Sequence, residues 1–135
     1  FRQNWIVYRL TDVMLMKAEA QVQLATSDED ELLTKAFALV QTVNKRSMLS
    51  NATDTLKMAD FKTIDDMEQL VLAERGRELC FEGKRWYDLM RLARHKNQSS
   101  PYGSNFGSIW LARKLESHNP AKSLLDPENW YLPFK

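Results

Sequence analysis

A single cysteine, Cys80, excludes an internal disulfide and a cysteine-rich metal site. The two histidines, His95 and His118, are isolated, with no second ligand at metal spacing, so no metal is expected. P-loop, Rossmann-glycine and nucleophile-elbow patterns are missing too, and nothing calls for a cofactor. No apolar run approaches the roughly 20 residues of a membrane-spanning helix. The formal net charge is only +1, which gives no electrostatic reason to expect a nucleic-acid partner. Phe1 is preceded by neither methionine nor leader, and we read residues 1–135 as one domain cut from a longer chain.

What is present is the composition of a globular protein. Apolar residues make up 44% and charged residues 27%, which suffices for a core and argues against disorder. Four helical stretches stand out. The first runs from about Arg9 to Ala25. Leu10, Val13, Met14, Ala18, Gln21, Leu24 and Ala25 lie along one side of it, and Leu15 and Val22 form a second strip, so this helix is expected to be buried on two sides. A turn at Thr26–Glu29, with Ser27 or Asp28 as N-cap, leads into a second helix ending near Arg46. Its expected buried positions are Leu32, Leu33, Ala36, Phe37, Leu39, Val40 and Val43, and the short turn implies an antiparallel hairpin.

Residues Ser47–Lys62 are polar and aperiodic, as in a connecting loop. Asp65 and Glu68 have capping-box spacing and open a third helix reaching about Glu82, with Gly83 as a left-handed C-cap. The fourth helix, Lys84 to about Lys96, places Trp86, Leu89, Met90 and Ala93 on one face and completes a second hairpin with the third. Beyond Asn97 the Ser, Pro and Gly content marks a flexible loop. A mixed segment at Ile109–Leu115 follows, and the chain closes on an extended stretch around Trp130–Pro133. The fold class is mainly α, with TPR-like helical hairpins and long irregular loops. Two hairpins bury little by themselves, so neighbours outside this chain are expected.

The third helix breaks a simple rule. With Met67 at the centre of its apolar face and steps of about 100° per residue, Leu70, Val71 and Phe81 fall close by, and so do Glu74 and Glu78. Leu72, Gly76, Leu79 and Cys80 line the other side, so the helix is expected to be covered on both faces. An inward carboxylate is costly unless paired. Arg77, Arg85 and Arg91, with Arg75 nearby and Arg9 and Arg46 further off, offer the planar forks that suit it. Two glutamates could instead act as general acid and base. At i, i+4 they share one face with no cleft evident opposite, and a structural ion network is the favoured reading.

The segment Glu74-Arg75-Gly76-Arg77-Glu78-Leu79-Cys80-Phe81-Glu82-Gly83-Lys84-Arg85-Trp86-Tyr87-Asp88-Leu89-Met90-Arg91 closely resembles the signature of the SusD/RagB family. Tyr8–Ala20 is similar to that family's Arg-Leu-Ala-Asp helix, and Trp130–Phe134 to its terminal segment, in the same order. Gly76 and Cys80 depart from the family's usual Arg and Ala; a helical Gly costs about 1 kcal/mol relative to Ala. The resemblance implies the C-terminal portion of a surface-exposed outer-membrane lipoprotein. Such proteins bind glycans or other nutrients and cap a SusC-like TonB-dependent transporter. Contact with the membrane would run only through an N-terminal lipid outside this chain.

Sugar binding needs aromatic faces and hydroxyl partners. The loop after the fourth helix supplies Tyr102, Asn105, Phe106 and Trp110 as candidate ligand contacts. Trp86 reads as core. The alternative function is a TPR-like protein–protein adaptor without a small-molecule ligand; an enzyme using Glu74 and Glu78 ranks below both.

Overall fold

The computed structural model describes residues 7–48, 55–99, 106–115 and 125–131. They form five α-helices: α1 (Leu10–Leu24), α2 (Glu31–Ser47), α3 (Ile64–Glu78), α4 (Arg85–Ser99) and α5 (Phe106–Leu115). Short 3-10 turns stand at Met58–Asp60 and Pro127–Trp130, and no strand occurs among the described residues. The architecture is mainly α and built from helical hairpins. Two compact units divide the chain, Phe1–Glu82 and Gly83–Lys135. No helix of the described residues is long and apolar enough to cross a membrane.

In the first unit α1, α2 and α3 pack on one another, and side-chain bonds reveal their directions. Gln23, late in α1, donates to Glu68, early in α3, at 2.9 Å. Arg9, just before α1, and Arg46, at the end of α2, both donate to Glu78 at the end of α3. So α1 runs antiparallel to both α2 and α3. The shared core is Leu15, Ala18, Val22, Leu33, Ala36, Phe37, Val40, Val43, Met67, Leu70 and Val71. Phe61 closes one side, its ring 6.2 Å from that of Phe37.

Capping explains where these helices start. Asp30, not Ser27 or Asp28, caps α2, accepting from Leu32 N at 3.0 Å. Asp28 instead reaches across to accept from Ile64 N, the first amide of α3, at 2.8 Å. The capping box of α3 lies two residues before the expected one: Thr63 and Asp66 bond reciprocally at 3.0 and 3.1 Å. Short side chains that accept from orphan amides stabilise a helix start by about 1 kcal/mol each.

Two further expectations for the first unit need correction. The face proposed as buried on α1 is partly exposed: Leu10 is 74% and Leu24 69% accessible, and Val13 is also exposed. The inward stripe is Thr11, Leu15, Ala18 and Val22, with Asp12 beside it. α1 is apolar around much of its circumference, so periodicity alone could not choose between the strips. α3 also stops at Glu78 rather than Glu82, and Phe81, expected inside, is fully exposed with φ +64°. Left-handed backbone is costly for a residue with a Cβ. Gly83 has the expected positive φ, +71°, and closes the same turn.

In the second unit α4 packs against α5. α5 itself is a correction, because its first residues were expected in a flexible loop. Gly107 explains the pairing: a Cβ there would stand 1.8 Å from the Ala93 carbonyl oxygen. The two helices touch backbone to backbone at that point. Asn97 completes the joint, accepting from Ser108 N at 3.1 Å and donating to Ser108 Oγ at 3.2 Å. Trp130 is buried, and its carbonyl accepts from Trp86 Nε1 at 3.1 Å, which ties the 3-10 turn to α4.

Candidate functional site

Four acids of the first unit lie inside its helix packing, and their partners show what each does. Asp12 is 1% exposed and accepts from Arg75 Nη1 at 3.1 Å; Arg75 is buried as well. This pair bolts α1 to α3. A buried pair with both charges satisfied is tolerated, whereas one left alone is not. Glu68 takes the Gln23 amide at the other end of the same helix pair.

Glu74 is 2% exposed and accepts from Arg77 Nε at 3.1 Å and from Asn44 Nδ2 at 3.3 Å, which links α3 to α2. Glu78 accepts from Arg9 and Arg46, and Arg9 also donates to the Glu78 carbonyl and to Glu82. One carboxylate thereby gathers the start of α1, the end of α2 and the end of α3. Burial pushes the Glu78 carboxyl up, but bonds from Arg9, Thr11 and Arg46 outweigh it, and its pKa lies below the ordinary glutamate value. The Arg9 guanidinium is raised above its ordinary value, first by Glu82 and, against the cost of burial, by Glu78.

Both glutamates border an open recess of about 340 Å³ that is also lined by Asn44, Ser47, Met48 and Arg77. A general acid in such a place would need a raised pKa. Glu78 is shifted the other way, and arginines hold Oε1 of Glu78 and Oε2 of Glu74. The arrangement is that of a clamp.

The remaining members proposed for the ion network lie in the second unit. Arg91 bonds buried Asp88 at 3.1 Å, and Arg85 is exposed at the start of α4. The cations that the structure places on Glu74 and Glu78 are Arg77, Arg9 and Arg46. Of the proposed ligand contacts, Phe106 and Trp110 are half-buried on α5 rather than in a loop, while Tyr102 and Asn105 lie outside the described residues. Lys96 and Lys114 flank the Trp110 ring at 5.7 and 5.9 Å from its centre. The Asp12–Arg75 pair went unnoticed in the sequence. On an α1 face centred on Leu15, Ala18 and Val22, Asp12 falls roughly 90° from the centre, at the edge, so the spacing that places Glu74 inward does not reach it.

Glu74, Arg75, Arg77 and Glu78 of this frame fall in the long signature motif and Arg9 and Asp12 in the Tyr8–Ala20 motif, and comparison with known proteins agrees with the resemblance. The SusD family model matches residues 2–133, and the chain belongs to that family, which is one of binding proteins. It is 34% identical over 90 residues to SusD-like protein P38 of Formosa agariphila, covering 65% of this chain and 17% of that protein. It is 30% identical over 101 residues to SusD-like protein P2 of the same organism, covering 74% and 19%. The match thus spans less than a fifth of either relative's length. No solved structure matches.

Proposed function

We propose that the chain is the scaffold portion of a nutrient-binding accessory protein, with glycan as the nutrient class, serving a TonB-dependent transporter at the outer-membrane surface. The observation that carries this reading is the family match across residues 2–133. The clamps support the scaffold role, because ion pairs buried between helices fix how those helices dock. The outward stripe of Leu10, Val13 and Leu24 supports it too: an apolar helix face of this kind suits packing against a further part of the same longer protein. The longer protein would carry its lipid anchor outside residues 1–135, and Tyr102, Asn105, Phe106 and Trp110 remain the proposed ligand contacts from the loop and α5. Catalysis has no part in the reading, since arginine donors bond both glutamates and hold the Glu78 carboxyl below its ordinary pKa.

The test is capture of outer-membrane proteins by the tagged protein, together with a glycan array. Recovery of a TonB-dependent transporter and retention of at least one glycan are expected. Capture of other proteins with no glycan retained would favour the adaptor reading instead.

A further inference from the structure

The second unit contains a recess that the clamps and the α5 contacts leave unexplained. It has a volume of about 570 Å³, within the range of small-molecule sites. Tyr87, Arg94, His95 and Gln98 come from one side of α4, where spacings of three, four and seven residues place them on a common face. Tyr131 provides the other wall. Its position follows from its neighbour: Trp130 is buried and hydrogen-bonded to Trp86, so the next residue is delivered against α4.

The chemistry of this recess is unusual for a plain surface. Tyr87 is 64% and Tyr131 48% exposed, so two phenol rings stand open to solvent. The Arg94 guanidinium lies over the Tyr131 ring, 5.1 Å from its centre. Arg91 is steadied from below by buried Asp88. None of the residues lining the recess is acidic. Arg94, His95 and Gln98 lie beyond the first turn of α4, where backbone amides are consumed within the helix, so at these positions the donors are side chains. That set suits a ring with an apolar face for the tyrosines, hydroxyls for Gln98 and a carboxylate for Arg94 and His95.

We propose that this recess binds an acidic sugar residue, a uronate within an oligosaccharide. The inference rests on the reading of the protein as a glycan binder and names a site and a ligand class for it. Arg94 is the charge-reading residue and Tyr131 the stacking platform.

Titration calorimetry of the full chain at low salt tests it, with tetragalacturonate and its fully methyl-esterified form as probes. The acid should bind about tenfold more tightly than the ester, the factor expected of one charge-assisted contact. Added salt should erode that difference. Arg94→Ala should remove the preference for the acid, and Tyr131→Ala should weaken both probes. Lys62→Ala, an exposed charge in the first unit, should change neither. Equal affinity for acid and ester, failure of the acid to bind, or an unaltered preference in Arg94→Ala would overturn the inference. An array that retains neutral glycans alone, with Arg94→Ala and Tyr131→Ala unaltered, overturns the acidic site and leaves the general reading standing. An array that retains no glycan defeats both.

Discussion

Arg75 shows best what a buried charge does here. Remove its guanidinium, and Asp12 stays buried between α1 and α3 with its main partner gone. Arg75→Ala should therefore cost about 3–5 kcal/mol, read as a lower denaturant midpoint with an unchanged slope. Asp12→Ala should fall in the same range, and the double variant should cost less than the sum of the singles. Glu78 makes the matching prediction for pH. Its folded pKa lies below its ordinary value, so the unfolded chain holds more protons through the acid range. Its contribution to stability is complete above about pH 4.3, the unperturbed glutamate value, and is lost as pH falls through the lowered one. Asp30 and Asp66, held down by the helix-start bonds described above, add to the same trend. Urea midpoints measured between neutral and strongly acidic pH should fall steeply for the native protein and less steeply for Glu78→Gln.

At the scale of helices, Gly107 decides how α4 and α5 meet. Any side chain there collides with the Ala93 carbonyl, which is backbone and cannot swing aside. Gly107→Ala should therefore force the hairpin apart, despite Ala being the better helix former by about 1 kcal/mol. Loss of helical circular dichroism with a lowered melting temperature is the expected outcome. The same residue explains why α5 was illegible in the sequence. Gly, Ser and Asn before Ile109 read as loop by composition, whereas Gly107 is there for close approach and Asn97 for bonding Ser108. α2 was legible because a single stripe, Leu33, Ala36, Phe37, Val40 and Val43, is its buried face. α1 was half-legible: its length was clear, but its two apolar strips read as burial on two sides, and only the strip with Leu15 and Val22 is buried. α3 was legible in its inward carboxylates and misread at its end, where no local signal announces a left-handed Phe81.

At the largest scale, charge and packing meet between the three helices of the first unit. The inward acids lie at helix junctions: Asp12 and Glu68 between α1 and α3, Glu74 between α2 and α3, Glu78 where all three meet. What the sequence could not reveal was which arginine serves which acid, because that depends on helix directions set by long-range packing. The central claim is that Glu74 and Glu78 clamp helices and do not touch ligand. It is tested most directly by measuring melting temperature and glycan affinity on one preparation of the Glu74→Ala/Glu78→Ala variant, using a glycan retained by the native protein. The clamp account predicts a melting temperature lower by several degrees, since about 1 kcal/mol shifts a domain of this size by roughly 4 °C or more. It also predicts unchanged affinity in the folded fraction. Native-like melting with abolished binding would contradict it.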